Sequence, residues 1–549
     1  MRRREYLRSA LGAGALSGMT ATVLGAATGT DASPSSTAPT ATATVTPTAT
    51  PTPTETGTAA PTETDSGDGF GPLGSAEITN SMSTYLRATE AVTTVDGQYA
   101  FVSRFDGFEV VDLSDPASPE VVHTATNLLV DEGEEPLIAV LDVKYNRERL
   151  LVSAGFTAGF PGFALYDVST PTDPTLLRTY ETLHNVHNSY LYGNHAYLTD
   201  RGKVEIIDLR PAEPERVATW SVTDYDDGYE EVSVGLRNVH DLYVQGDRCY
   251  LACWDAGTWI LDVSDPAEPT HVGHVADRSL SELQSTSTAD RDSAVLEPPG
   301  NDHYVQPNDD GTVLAVGKES WNDPDNDAQA DDPGGPSGIT LWDIADPSDP
   351  TELATVDPPP VPGGETTDRE GGYYTTAHNF DIVGDTLYSS WYRGGVRVHD
   401  ISDPADPREV AAWEQGDETS FWTAQAAVLG EYFVASSMHD PEDEGANGPG
   451  GLYTFPDPLA TDATRTPAGP PVDSAPPATE SPTPTVSPTP TPSPTAAATP
   501  TESQTPATGT TADGTGGTTG GDGPGLGVLA ALAGLGLGTW RAVRSGDEP

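Results

Sequence analysis

The feature that most constrains the fold of this chain is a short string that recurs six times between residues 112 and 410. The copies share an aspartate followed by two prolines: DLSDPASPEVV (112–122), DVSTPTDPTLL (167–177), DLRPAEPERVA (208–218), DVSDPAEPTHV (262–272), DIADPSDPTEL (343–353) and DISDPADPREV (400–410). Internal similarity at such spacing indicates a repeat architecture, in which each copy is one supersecondary unit.

Each copy follows a run in which apolar and polar residues alternate, such as TWILDVS (258–264). Two more short runs, joined by Gly-Asp or Asp-Gly turns, precede it, so every unit reads as a four-stranded meander. Proline ends the third strand because it cannot donate to the sheet ladder. Radial repetition of such units predicts an all-β propeller. Seven second strands align on the residues Phe101, Leu151, Tyr197, Tyr250, Val313, Tyr388 and Val434.

The seventh unit has three strands before PDPLA runs into a Thr/Pro-rich segment. We predict that an N-terminal strand within EITNSMSTYLR (77–87) supplies the fourth strand of blade seven. Closing the ring in this way removes exposed sheet edges.

The Asp-x-Ser-Asp-Pro-x-x-Pro strings resemble LVIVD repeats, and the resemblance covers about residues 76–458. It implies a β-propeller and does not imply one activity. We therefore place the seven-bladed LVIVD-repeat propeller at 70–460.

The two ends of the chain differ from this repeat region. Residues 1–30 begin with arginines, contain an apolar stretch and resemble a twin-arginine signal peptide. Residues 31–69 and 461–523 are rich in Thr, Pro, Ala and Gly, a composition typical of disordered linkers and stalks. Residues 524–549 hold an apolar run before Arg541 and resemble a PGF-CTERM sorting signal, although Leu526 replaces the usual Phe. We expect an exported, extracellular protein anchored at the cell surface through this C-terminal segment.

The charge balance limits the classes of molecule that can bind this protein. The chain has 84 acidic and 26 basic residues, a net charge of -58 and only three lysines, Lys144, Lys203 and Lys318. Phosphate neutralisation needs the opposite sign, so we expect no nucleic acid partner. Few lysines with many acids resemble proteins of halophilic archaea, and we expect a monomer that contacts the cell envelope or surface layer.

Four histidines occupy one position of the repeat. Ten residues before the seven aligned positions stand Ala91, Leu141, His187, His240, His303, His378 and Ala424. The first strand of a propeller blade lines the central channel, so the four imidazoles should meet at its mouth. Neutral imidazoles suit Fe, Cu, Zn, Ni or Mn, and the sequence predicts a four-His metal site. Structural packing, or a metal-free polar ligand site, is the alternative interpretation.

Long insertions surround the same mouth. The spacing between these histidine positions is 63 residues between His240 and His303 and 75 residues between His303 and His378. The extra residues fall in 277–302, 318–337 and 357–377. Long loops around one mouth are typical of binding sites. Imidazole ligands need supporting partners, and these loops offer Glu297, Glu365, Glu370, Tyr373 and Tyr374.

Three further groups of residues contain potential ligand atoms. His184 is either a fifth ligand or a surface residue, and we favour the surface. Asp323, Asp325 and Asp327 could bind calcium but lack the remaining spacing of a calcium loop. Cys249 and Cys253 read as small buried residues, because residues four apart on a strand are too distant for a disulfide.

These observations leave three functional hypotheses. The first is a binding or scaffold module of the cell envelope with the four-His metal site. The second is a metal-dependent oxidoreductase acting on a small molecule, and the third is a metal-free structural or adhesive surface protein. No GxSxG, HExxH or GxxxxGK[ST] motif occurs in the chain, so these catalytic patterns do not decide whether it is an enzyme.

Overall fold

The computed structural model describes residues 69–459, except for 79–82, 84–85, 156–158, 288–293, 295, 322–334, 363–366, 368–371 and 439–449. Within this part of the chain, 28 strands form seven antiparallel sheets of four strands each. The predicted seven-bladed β-propeller is confirmed. The segments predicted as signal peptide, linker, stalk and C-terminal anchor lie outside the described residues, apart from Gly69.

Six blades are built from consecutive strands, and the first strand of each sheet lines the channel. Blade one contains β2 (Ala91–Thr93), β3 (Tyr99–Arg104), β4 (Gly107–Asp112) and β5 (Glu120–Thr126). Blade two contains β6 (Asp142–Asn146), β7 (Arg149–Ser153), β8 (Gly162–Asp167) and β9 (Thr175–Glu181). Blade three contains β10 (Ser189–Tyr192), β11 (His195–Asp200), β12 (Lys203–Asp208) and β13 (Glu215–Trp220).

The next three blades follow the same order. Blade four contains β14 (Asp241–Gln245), β15 (Arg248–Ala252), β16 (Thr258–Asp262) and β17 (Thr270–Val275). Blade five contains β18 (Asp302–Pro307), β19 (Val313–Lys318), β20 (Ile339–Asp343) and β21 (Thr351–Val356). Blade six contains β22 (Phe380–Val383), β23 (Thr386–Ser390), β24 (Val396–Asp400) and β25 (Arg408–Trp413).

Blade seven joins the two ends of the described chain. Its strands are β26 (Phe421–Val428), β27 (Tyr432–Ser437), β28 (Gly450–Pro456) and, at the outer edge, β1 (Gly74–Ile78). The prediction that an N-terminal strand closes this blade is confirmed. The strand begins three residues earlier than the proposed stretch 77–87 and shares only Glu77 and Ile78 with it. Ile78 is fully buried against blade one, which gives this register its apolar contact.

The repeated Asp-Pro string has a local structural basis. The aspartate that ends each third strand accepts a hydrogen bond from the backbone N–H two residues later, as in Asp112 with Ser114 (2.8 Å) and Asp262 with Ser264 (2.9 Å). A short polar side chain that bonds its own backbone favours a turn. The string therefore builds the connection from the third to the fourth strand in each blade.

Short helices occur in two of the connections between blades. A helix (Val222–Tyr225) and two 3₁₀ helices (Asp227–Glu231 and Val234–Leu236) join blades three and four, and another helix (Leu280–Ser285) begins the long connection from blade four to five. Cys249 and Cys253 lie in the apolar core beside them, both free and fully buried. Burial raises the pKa of both thiols, as expected for inert core residues.

Candidate metal centre

The four predicted histidines form one row across adjacent blades. His187 and His240 each stand immediately before or near the start of a first strand, with ring centroids 4.7 Å apart. The rings of His240 and His303 stack at 3.8 Å, and those of His303 and His378 are 4.9 Å apart. Sequence register alone therefore brought together side chains that are 191 residues apart in the chain, from His187 to His378.

The equivalent residues in blades one and seven differ from the predicted ones. The backbone N–H of Thr89 donates to Ser103 O, just as that of His240 donates to Ala252 O and that of His378 to Ser390 O. Thr89, rather than Ala91, is thus the equivalent of His240 in blade one. In blades one and seven the hairpin between the first and second strands is two residues longer than in blade four, so the residue equivalent to His240 lies two residues earlier than predicted. In blade seven this residue is Trp422 and not Ala424.

Glu319 completes the group and was not predicted. It directly follows β19, and its backbone N–H donates to Asn301 O, which places it beside His303 on the same hairpin. Its Oε2 lies 2.9 Å from His303 Nδ1, and its Oε1 lies 3.8 Å from His378 Nε2. The Tyr392 hydroxyl donates to the same Oε1 and fixes the carboxylate. Its place at the start of the insertion 318–337 was the one sequence signal that could have pointed to it.

A hydrogen bond at Nδ1 sets the tautomer of His378. Its Nδ1 donates to the Trp422 carbonyl at 2.7 Å, so His378 Nε2 is unprotonated. His303 Nδ1 lies 2.9 Å from Glu319 Oε2 without forming a hydrogen bond, and His303 Nε2 faces His378 Nε2 at 3.2 Å. In one tautomer His303 Nε2 donates to His378 Nε2, and in the other the two nitrogen atoms can bind one cation between them.

His240 and His187 continue the row away from this pair. His240 Nδ1 lies 3.3 Å from the His303 carbonyl oxygen, and its ring stacks on the His303 ring. His187 is half-buried, and its Nδ1 makes no hydrogen bond within the described part of the chain. These contacts support the orientation of His303 and leave His187 at the more accessible end of the row.

Three of the four imidazoles, those of His187, His240 and His378, are neutral at ordinary pH. Burial, followed by the neighbouring imidazoles, lowers the pKa of His187 to about 4 and of His378 to about 3, and it lowers the pKa of His240 well below its usual value. Burial alone would raise the pKa of Glu319, but His303, His378 and the Tyr392 hydroxyl lower it to about 2. His378 thus offers an uncharged nitrogen donor and Glu319 a carboxylate, the protonation states that metal binding requires.

Among the described residues, ligand atoms of His303, Glu319 and His378 lie within 4.8 Å of one another. Two imidazoles and one carboxylate are a donor set that suits Zn or Fe and leaves coordination positions for water or substrate. Apolar and aromatic side chains from several blades bury this end of the channel: Leu86, Leu141, Trp321, Tyr374, Tyr392, Trp422 and Met438. Such surroundings exclude bulk water, which strengthens interactions between ions and dipoles.

The other predicted partners lie in different places. Tyr374 packs on Tyr392, whose ring contacts His378, so it touches the centre through one intermediate residue. Tyr373 packs instead under Arg393, at 4.0 Å. Glu297 is buried, whereas Glu365, Glu370 and the Asp323–Asp327 loop fall outside the described residues.

His184 belongs to a separate cluster. Its Nδ1 lies 3.2 Å from Asp200, and ligand atoms of His184, Asp200 and Glu205 also lie within 4.8 Å of one another. Lys203 binds both carboxylates, and Arg216 binds Glu205, so the negative charges are already paired. This cluster is an ion-pair network beside the row of histidines.

Comparison with known proteins agrees with the repeat assignment. The LVIVD repeat model matches residues 92–126 and 236–277, so the chain carries LVIVD repeats in blades one and four. No curated protein matches the chain. This fold supports a binding or scaffold module.

Two solved structures are similar in their chain path. The β-propeller domain of Cps50 (Swd1) from Myceliophteria thermophila is 10% identical, with a TM-score of 0.45, over 69% of this chain and 99% of that domain. A chain of the mitotic checkpoint complex is 14% identical, with a TM-score of 0.44, over 71% of this chain and 93% of that chain. The assignment of seven blades rests on the strand order of this chain itself. Within the described residues, no helix is long and apolar enough to cross a membrane.

Proposed function

We propose that this protein is a binding or scaffold module of the cell envelope whose propeller holds a transition metal between His303, Glu319 and His378. The observation that carries the proposal is the pair of facing Nε2 atoms, 3.2 Å apart, with a carboxylate oxygen 3.8 Å from His378 Nε2. In a tetrahedral site with bonds of about 2.0–2.1 Å, ligand atoms are separated by a little over 3 Å. The separation of the two Nε2 atoms is close to that value, and the carboxylate oxygen would have to move towards His378 Nε2 by about half an ångström.

The remaining histidines have distinct roles in this proposal. His240 holds His303 in place through stacking and its contact with the His303 carbonyl oxygen. His187, at the accessible end, is the residue of the four-His set that an incoming ligand would meet first. Fe, Cu, Zn, Ni or Mn would each accept these donors, and the carboxylate favours Zn, Fe or Mn over Cu(I).

Location at the outer cell surface is part of the same proposal. It is supported by the sequence of residues 1–30 and 524–549 and by the Thr/Pro-rich segments between them and the propeller. The envelope or surface layer would be the partner, and the C-terminal segment the membrane anchor.

A second candidate function is a metal-dependent oxidoreductase acting on a small molecule. The donor set favours it, because two histidines and one carboxylate leave coordination positions open on iron. Consumption of dioxygen by the metal-loaded protein, lost in the variants described next, would support this alternative over a purely binding role.

Metal analysis of the full chain, purified in high salt without a His tag, tests the proposal. We expect about one equivalent of metal in the parent protein. Removing a ligand with Glu319→Gln or His378→Ala should weaken metal binding by at least tenfold, since even outer partners of metal ligands contribute about 10–100-fold. His123→Ala, on the outer strand of blade one, is the matched control and should retain the metal. A metal-free parent, or variants that bind metal as the parent does, would refute the site.

A further inference from the structure

A second cavity lies in the same channel, at the end away from the histidines. It has a volume of about 160 Å³, and its lining includes Tyr190, Tyr243, Tyr304, Glu90, Lys144 and Asp381. It extends to the exposed Asp309 in the turn after β18, so it opens on the opposite face of the propeller. No part of the proposed metal centre lines it.

Negative charge exceeds positive charge around the buried part of this cavity. Among the described residues there, four buried carboxylates face one buried ammonium group, that of Lys144: Glu90, Asp142, Asp241 and Asp381. Lys144 Nζ lies 2.6 Å from Asp142 and 3.8 Å from Glu90. At the open end Arg147 and Asp309 both line the cavity, so their charges offset each other. Burial raises the pKa of Glu90 to about 7, so above that pH its carboxylate adds a buried negative charge, which an additional cation in the channel would offset.

The aromatic lining provides a second, independent observation. Tyr190 and Tyr243 come from neighbouring blades, with ring centroids 4.8 Å apart. Tyr304 is only 9% exposed, and its hydroxyl makes no hydrogen bond to any described residue but is accessible from the cavity. A polar group on the wall of a cavity is satisfied by a molecule inside it.

We propose that this cavity binds a small organic ammonium ion. Tyrosine faces attract cations, and a carboxylate beside them supplies the counter-charge. The volume equals about five water molecules at roughly 30 Å³ each, which is the size of an ion with about five heavy atoms. A bare metal ion fits less well, because within the described residues the channel carboxylates do not form a group with ligand atoms within 4.8 Å of one another.

Calorimetric titration of the full chain with tetramethylammonium chloride, at about pH 8 where Glu90 is ionised and at constant ionic strength, tests the proposal. We expect one site with a dissociation constant in the millimolar range or tighter, and no binding of tert-butanol, an uncharged molecule of similar size. Tyr304→Phe and Glu90→Gln should each weaken binding at least fivefold. Tyr225→Phe, an exposed residue of the helix between blades three and four, should bind as the parent does. The metal content of the protein should not change in any of these variants.

Three results would overturn the proposal: no binding of tetramethylammonium, equal binding of tert-butanol, or stronger binding of the zwitterion trimethylglycine. Displacement of tetramethylammonium by an equimolar amount of Ca²⁺ would assign the cavity to an inorganic cation and also overturn it. Magnetisation transfer between the ligand methyl protons and tyrosine ring protons, measured on the parent protein, gives the answer even if a variant fails to fold. We expect transfer, and its absence at saturating ligand would contradict the site.

Discussion

Replacing Lys144 by methionine tests the electrostatic account of the channel. The Lys144 side chain is 10% exposed, and its Nζ lies 2.6 Å from Asp142 Oδ1 and 3.8 Å from Glu90 Oε1. Burial alone would lower the pKa of Lys144, but Asp142, Glu90 and Asp241 raise it above its usual value. A lysine with a raised pKa stabilises the fold at every pH below its unfolded pKa, and that contribution is lost only as pH rises through the folded pKa.

The size of the effect follows from what the substitution leaves behind. Methionine has a similar length but no charge, so the neighbouring carboxylates become buried charges without a counter-ion. Removing one partner of a buried ion pair costs about 3–5 kcal/mol. Lys203→Met is the matched control, because the Lys203 side chain is 39% exposed while it pairs with Asp200 and Glu205. Lys203 is partly exposed and Arg216 also pairs with Glu205, so we expect a cost of about 1 kcal/mol or less.

The pH dependence separates this explanation from a simple packing defect. Burial raises the pKa of Glu90 to about 7, although Lys144 opposes the shift. Without Lys144, protonated Glu90 carries no uncompensated charge, so the stability gap between parent and Lys144→Met should shrink as pH falls from about 8 to about 5. Guanidinium unfolding followed by tryptophan fluorescence measures this gap. A gap that stays constant over this range, or that equals the gap for Lys203→Met, would refute the reasoning.

Three further predictions concern the fold and its titration. Ile78→Ala should destabilise the protein by about 2–5 kcal/mol, because Ile78 is fully buried where β1 closes the ring, whereas Glu77→Ala should cost under about 0.5 kcal/mol in the same denaturant titration. Gly257→Ala should lower the melting temperature, because φ is 83° there and an added Cβ would lie 2.1 Å from the Val275 carbonyl oxygen. In the parent protein we expect stability to fall as pH rises from about 4.5 to about 7, since the folded protein holds the Glu90 proton to higher pH than the unfolded chain does. Glu90→Gln should make this fall smaller.

The repeat string made the fold predictable because its chemistry is local. An aspartate that bonds the backbone two residues later, followed by proline, ends a strand wherever it occurs, as Asp112 and Asp262 show. Six strings and the alignment of seven second strands gave the blades, and the shared position ten residues before the aligned residues placed His240 and His303 at one mouth. Both inferences need only neighbours in sequence.

The parts that sequence did not predict depend on pairing between strands. Glu319 reaches His303 through the register of β18 with β19 inside a long insertion, and no local pattern marks that register. In blade one the residue equivalent to His240 is Thr89 and not the predicted Ala91, because the first hairpin of that blade is longer. The channel charges around Lys144 come from separate blades and become visible only when the ring is closed.

The central claim is that one metal ion binds between His303, Glu319 and His378, and anomalous X-ray diffraction tests it most directly. Crystals of the metal-loaded protein would be measured above and below the absorption edge of the bound metal. The account predicts one anomalous peak within about 2.0–2.3 Å of His303 Nε2, Glu319 Oε1 and His378 Nε2. A stoichiometrically loaded protein whose peak lies elsewhere, or a mouth with no peak, would contradict it.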